Sequence, residues 1–252
     1  MSNVIVSVSG GKDSTACLLL ALEHGHDVTA LFNDTGWEHP ITYDYLNYLA
    51  DTLHVNMITT RHEPAPTMVD LIRKTKRYPS MLARFCTDRF KVSPSRKFYN
   101  ELIAANPDKD YIAWYGMRTQ ESSARAKKYA GLANDTVYEL DDLFPKVYGK
   151  RLQMRLKAQL PIVDWSEQDV FNYIESKGVK RNPLYDMGSK RVGCYPCFLS
   201  AKAEINADFS SDVGRERLVM LDKLDAEIGT DLRRYIKGVP DSYQGGCAIC
   251  SM

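Results

Sequence analysis

The chain has 252 residues, 44% of them hydrophobic, with a formal net charge of +1. That length can bury a full core, as one α/β domain with an appendage. So small a charge argues against bulk electrostatic binding to nucleic acid or membrane, although it leaves room for a local patch. No apolar run approaches the roughly 20 residues that span a bilayer, and no membrane partner is expected.

Val4, Ile5, Val6 and Val8 form a β-branched run with the length of a buried parallel strand. This strand begins almost at the N-terminus, which leaves no room for a signal peptide and points to a cytoplasmic location. Ser9-Gly10-Gly11-Lys12-Asp13-Ser14 follows without a spacer. Ala16, Leu18, Leu19, Leu20, Ala21 and Leu22 then give a helix that is apolar nearly all round, as a sandwiched helix is. A glycine turn between a buried strand and a helix N-terminus presents unpaired N–H groups and the positive end of a helix dipole, so it suits an anion. Gly10 and Gly11 let a phosphate approach the backbone, and Ser9 and Ser14 add hydroxyls. Lys12 supplies a charge, and Asp13 suits a metal ion that bridges phosphates. The spacing is not that of a Walker A loop.

Asp27 to Asn33 reads as a second strand, ending in Asp34-Thr35-Gly36. It places Asp34 at a strand's carboxyl end, where doubly wound sheets bind ligands. A helix over 41–53 and a strand over 55–60 complete a βαβαβ opening, which predicts a parallel sheet. His39 reads as a helix-entry residue. Thr67 to Lys76 is expected to be helical. From Arg73 to Lys97 the chain carries nine basic residues against the single Asp88. Such a run reads either as a solvated face or as a funnel for polyphosphate or nucleic acid. In its middle lies Arg84-Phe85-Cys86-Thr87, followed by Lys91 and Pro94.

Tyr111 to Tyr115 is a further strand, running into Gly116-Met117-Arg118 and on to Arg125. A guanidinium at Arg118 matches the forked geometry of phosphate, while Arg125 reads equally as a second clamp or a helix-face charge. Residues 132–157 have weak periodicity, with strand-like pieces around Val137 and Val147. Ser166 to Asp169 forms a capping-box start for a helix to about Lys177. Asp212 to Ile228 is amphipathic, with Leu218, Val219, Leu221, Leu224 and Ile228 on its buried side. The expected organisation is a nucleotide-binding α/β domain over 1–165 and a helical C-terminal region over 166–252 that carries CxxC segments.

The six cysteines are Cys17, Cys86, Cys194, Cys197, Cys247 and Cys250, the last four in two CxxC pairs. In an α/β chain of this size the pairs suggest metal, cluster or redox chemistry more than structural disulfides. Cys194 and Cys197 alone suit a redox dithiol, a zinc half-site or part of an iron–sulfur cluster. Cys17, inside the buried helix, reads as packing.

Four strings carry a resemblance. SGGKDS resembles the PP-loop of the ATP-pyrophosphatase superfamily. GMRTQESSAR and PLYDMGSKRVGCYPC, together with RFCT, resemble segments of its PAPS (phosphoadenosine phosphosulfate) reductase-like family, and look closest to members that insert sulfur into nucleic acids. The resemblance implies a Rossmann-like, doubly wound parallel sheet of the adenine nucleotide alpha-hydrolase type, with a C-terminal cysteine-containing helical extension. It implies ATP and Mg²⁺ as ligands, ATP cleavage to AMP and pyrophosphate, and Lys12, Asp13, Lys91 and Arg118 as the catalytic set. Nucleotide contacts would come from Ser9 to Ser14, Asp34, Gly116, Arg118 and Arg125. A [4Fe–4S] cluster, or Zn²⁺ in its place, would be held by Cys86, Cys194 and Cys197 with Cys247 or Cys250. The partners implied are a nucleic-acid substrate along residues 73–97 and a cysteine desulfurase as sulfur donor. Two rival readings stand beside this one: a PAPS or APS reductase releasing sulfite, and a non-catalytic nucleotide-binding module with structural zinc. Sulfonucleotide reductases end in an E-C-G-x-H-type motif, which this chain lacks.

Overall fold

The computed structural model describes residues 2–241. A six-stranded sheet in the order β3-β2-β1-β4-β6-β5 lies at the centre of the first of two compact units. Its strands are β1 (Asn3–Val8), β2 (Asp27–Asn33), β3 (Asn56–Thr60), β4 (Tyr111–Trp114), β5 (Val137–Glu139) and β6 (Leu156–Gln159). All neighbours pair in parallel except β5, which runs antiparallel along β6 at the edge. The α/β doubly wound class is therefore as expected.

β1 is buried on both faces because its alternation feeds two cores. Val4, Val6 and Val8 pack with Leu18, Phe32, Leu49 and Trp114 on one side. Ile5 packs with Leu31, Tyr99, Ala113 and Leu156 on the other. The first core takes in α1 (Lys12–Glu23) and α2 (Pro40–Leu53), together with Val170 and Ile174 of helix Glu167–Ser176. Cys17 is fully buried there, and burial pushes its thiol well above the ordinary value, as suits a packing residue. The strand order reverses beside β1, with β2 on one side and β4 on the other. That crevice is where an open α/β sheet leaves room for a ligand, and the glycine loop leaves β1 at its carboxyl end.

Two local expectations fail. Around Val147 the chain makes turns and not a strand; the strand of that region is β6, which pairs with both β4 and β5. On helix Asp212–Ile228, Val219 is exposed, whereas Asp225 is buried as the acceptor of Tyr78 Oη–H and the Leu232 amide, each at 2.8 Å.

The compact units interleave along the sequence. The first holds residues 1–34, 40–61 and 90–193, so residue 165 falls inside it. The second holds 35–39, 62–89 and the chain from Cys194. In the second, α3 (Met68–Thr75) starts on a Thr67–Asp70 capping box and packs against helix Asp212–Ile228, where Arg73 pairs with Glu227 at 2.7 Å.

Candidate functional site

The loop after β1 keeps its shape through its own side chains. Ser14 Oγ donates to the Gly11 carbonyl at 2.9 Å and accepts the Ser9 amide at 3.1 Å, and Thr15 Oγ1 donates to the same carbonyl at 3.1 Å. Ser14, expected as a phosphate donor, is thus bonded within the loop. Gly10 has φ +72°, and a Cβ there would lie 2.8 Å from Thr42 Cγ2. Both facts require glycine. Gly11 is the N-cap of α1 and supplies no side-chain cap, so the first amides of the helix depend on other partners.

Those partners come from the 182–192 segment, which lies over the loop as a strap. Asn182, 1% exposed, donates from Nδ2 to the Gly10 carbonyl at 3.1 Å. Tyr185 Oη accepts the Lys12 amide at 2.8 Å. Lys12 Nζ donates to the Lys190 carbonyl at 3.3 Å and lies 5.1 Å from the centre of the Tyr185 ring. The ammonium is 3.1 Å from Glu167 Oε1, at the first turn of helix Glu167–Ser176. Lys12 is therefore a buried cation whose only carboxylate partner among the described residues, Glu167, is 60% exposed.

A second cation closes on the loop from β4. Gly116 follows that strand, and a Cβ on it would stand 2.7 Å from the Asp13 backbone, so only glycine lets the two segments meet. Arg118, 4% exposed, donates from Nε to Asp13 Oδ1 at 2.6 Å and from Nη1 to the Trp165 carbonyl at 3.3 Å. Arg125 pairs with Glu121. Burial pushes the Arg125 guanidinium below its ordinary value; Arg191 and Arg118 push the same way, and Tyr129 and Asp13 oppose them. Lys12 belongs to the loop and Arg118 closes on Asp13, two buried cations in an arrangement suited to a polyanion, and Arg125 lies within electrostatic reach of Asp13.

The other expected site residues fall elsewhere. The buried Asp34 carboxylate accepts Tyr43 Oη–H at 2.8 Å and two donors of Arg61, at 2.8 and 2.5 Å. It therefore orients a guanidinium at the carboxyl end of β3. Lys91 stands exposed on the π-helical turn Asp88–Val92. Sequence reading singled out neither Asn182, Tyr185, Glu167 nor Arg61 as a site residue. Tyr185 lies within the PLYDMGSKRVGCYPC string and Asn182 immediately precedes it, which was the available signal.

The expected thiol ligands within the described residues belong to the second unit. There, residues 35–39 run beside the cysteine segment. Glu38 bridges Cys194 in antiparallel fashion, the Tyr195 amide donates to the Trp37 carbonyl at 2.7 Å, and Trp37 Nε1 donates to the Pro196 carbonyl at 3.0 Å. Arg217 donates to the carbonyls of Trp37 at 2.8 Å, Glu38 at 2.6 Å and Tyr195, with its guanidinium 4.5 Å from the Trp37 ring centre. Cys194 Sγ lies 3.6 Å from Thr35 Oγ1. Cys86, Cys194 and Cys197 are each partly buried. Among the described residues no three His, Cys, Asp or Glu side chains group closely enough to hold a metal ion. Cys247 and Cys250 lie outside the described residues.

The phosphoadenosine phosphosulfate reductase domain matches residues 3–200, which takes in the loop, the Arg118 segment and the strap. The chain belongs to this family. Among its relatives, an uncharacterised 37.8 kDa protein of Escherichia phage 186 is 34% identical over 85% of this chain and 75% of its own length. The phosphoadenosine 5'-phosphosulfate reductase of Cronobacter sakazakii is 26% identical over 75% of the chain and 68% of its own length. An uncharacterised Methanocaldococcus jannaschii protein is 29% identical, and this family member spans 38% of its length. Among solved structures, the phosphoadenylyl-sulfate reductase of Candida auris, determined as a phosphate complex, shares the fold. It has a TM-score of 0.55 at 19% identity, covering 78% of this chain and 83% of that one. No described helix is long and apolar enough to cross a membrane.

Proposed function

We propose that the chain binds ATP at the Ser9–Ser14 loop and cleaves it to AMP and pyrophosphate, so activating an acceptor for sulfur incorporation. The observation that carries this reading is the meeting of two buried cations, Lys12 and Arg118, at a glycine loop at the switch point of the sheet. An acceptor oxygen attacks the alpha phosphorus, pyrophosphate leaves from the loop, and a sulfur nucleophile then displaces AMP. Arg118 occupies one oxygen of Asp13, and the other suits the Mg²⁺ that accompanies a polyphosphate. Lys12 and Arg118 offset charge growing on the phosphates, with Lys91 assigned to the same task from its exposed turn.

The acceptor in this reading is nucleic acid, met along the basic stretch 73–97. There Arg84 and Lys91 are exposed, and Met81 and Leu82 stand out at the apex of a turn closed by reciprocal Ser80–Ala83 backbone bonds. A cysteine desulfurase supplies the sulfur. Cys86, Cys194 and Cys197, with Cys247 or Cys250, are the thiols proposed for a [4Fe–4S] cluster, or zinc in its place; the first three do not stand grouped around one point and would have to draw together to hold it. Thiol sulfur suits either soft centre, and the cluster would supply a binding point for sulfur. Iron, sulfide and zinc analysis of protein purified without oxygen distinguishes the two.

Membership of a reductase family, with relatives named as PAPS reductases at 24–26% identity, favours a second reading: reduction of PAPS with release of sulfite. Incubation with ATP, Mg²⁺ and an oligonucleotide, beside incubation with PAPS and a dithiol, separates the two. Release of AMP and pyrophosphate supports the first reading and sulfite the second. Failure to turn over either nucleotide leaves a binding module with structural zinc.

A further inference from the structure

The strap contributes one group to the loop that neither family membership nor the cation cluster explains, the phenol of Tyr185. Its oxygen accepts the Lys12 amide at 2.8 Å, and that amide is the first of α1, whose N-cap offers no side chain. A phenol that accepts one hydrogen bond still has a proton to donate, and no other hydrogen-bond partner of this oxygen occurs among the described residues. The ring is fixed in place. Phe171 meets it edge-on at 5.2 Å between centres, and Lys12 Nζ lies 5.1 Å from its centre. A Cβ on Gly11 would stand 3.4 Å from Tyr185 Oη and 3.3 Å from the Val192 carbonyl. The phenol and the strap backbone therefore lie directly against the glycine that opens the helix.

We propose that Tyr185 is a phosphate-binding residue of the loop, donating its O–H to a non-bridging oxygen of the bound polyphosphate while its own oxygen is polarised by the Lys12 amide. The phenol thereby extends the helix N-terminus by one hydrogen bond: amide to phenol, phenol to anion. A donor that is already accepting a bond is strengthened by it. Burial keeps the proton on the phenol well above neutral pH, Asp13 adding to this and the Lys12 amide opposing it, so the group acts as a donor and not as a proton acceptor. The inference rests on the loop being the phosphate site. It adds a residue from 173 positions away, and it gives the PLYD string a chemical reason for a hydroxylated ring.

The test is binding of inorganic pyrophosphate, and separately of adenosine, to the full chain and to Tyr185→Phe, followed by calorimetry beside thermal unfolding of each protein. Phenylalanine keeps the ring against Phe171 and Lys12 and removes only the hydroxyl. The expected result is pyrophosphate binding weakened about tenfold or more, the usual effect of losing one bond to a charged group, with adenosine binding unchanged. Pyrophosphate binding that is equal or tighter in Tyr185→Phe overturns the inference and leaves the loop reading standing. Absence of pyrophosphate binding by the wild-type chain overturns both. If the variant does not fold, 3-fluorotyrosine placed at position 185 decides instead. Its fluorine resonance is expected to move with pyrophosphate and to stay put with adenosine; no movement with pyrophosphate overturns the inference.

Discussion

At the scale of single residues the site is a balance between cations and the carboxylates that hold them. Lys12 has Glu167 and Arg118 has Asp13, but the two pairs differ in burial. The Lys12–Glu167 pair has an acid that is 60% exposed, and an exposed partner contributes little net attraction. Glu167→Gln should therefore leave the fold intact and release Lys12 to a phosphate. Pyrophosphate binding measured by calorimetry is expected to tighten by up to about fivefold, the equivalent of ~1 kcal/mol, with the gain shrinking as salt rises. Weaker binding in that variant would assign Glu167 to orienting the ammonium instead. The Arg118–Asp13 pair is nearly buried on both sides. Arg118→Ala leaves Asp13 without its guanidinium, so it is expected to lower both stability and turnover. The loss of one charge-stabilising donor corresponds to about 2–4 kcal/mol in the barrier, read from kcat/KM for ATP. Arg118→Lys should recover little, since an ammonium does not reproduce the reach from Asp13 to the Trp165 carbonyl.

Among the elements, what positions the site is the meeting of the turn after β4 with the first turn of α1, and it depends on an absent side chain. A methyl group at residue 116 would press on the Asp13 backbone at 2.7 Å, and backbone does not swing aside. Gly116→Ala should cost about 1–3 kcal/mol, the usual penalty of overpacking, seen as a lower Tm. Its effect on pyrophosphate binding should exceed that on adenosine. The element content of this region was largely legible in the sequence. β1, β2, β4, α1 and helix Glu167–Ser176 all announced themselves through β-branched runs, helical spacing or a capping box. β6 did not, because Leu156-Lys157-Ala158-Gln159 has little strand preference of its own. It becomes a strand by pairing with β4, and Lys157 finds Glu139 on the neighbouring β5. The loop was legible for the same reason as β1, since its residues are consecutive. Of its partners, Arg118 was legible as a phosphate clamp but not as the partner of Asp13, 105 positions away, and Asn182 and Tyr185 were not legible, because they reach it from 172 and 173 positions away. No local pattern encodes which carboxylate a lysine will choose.

For the molecule as a whole, the pH range of stability carries a mark of the second unit. Asp208, in the last turn of helix Lys202–Ser210, is half-buried, and burial pushes its carboxyl up from 3.8 to about 6, with Glu204 one turn earlier adding to the rise. A negative charge at a helix C-terminus opposes the dipole as well. The folded state therefore holds this proton more tightly than the unfolded chain. Stability from this group is complete below about pH 4 and is lost as pH rises through 6. The loss at neutral pH is at most about 3 kcal/mol, from a rise of roughly two units at 1.36 kcal/mol each. Asp208→Asn removes the charge but keeps the shape. Its Tm should equal that of the wild type near pH 4 and exceed it above pH 7, the difference opening between the two. A constant offset across that range would mean that Asp208 stays ionised in the folded chain, and would place the neutral-pH cost in other groups. The site carboxylate Asp13 lies in the other unit, so the same variant should leave pyrophosphate binding at neutral pH where it was.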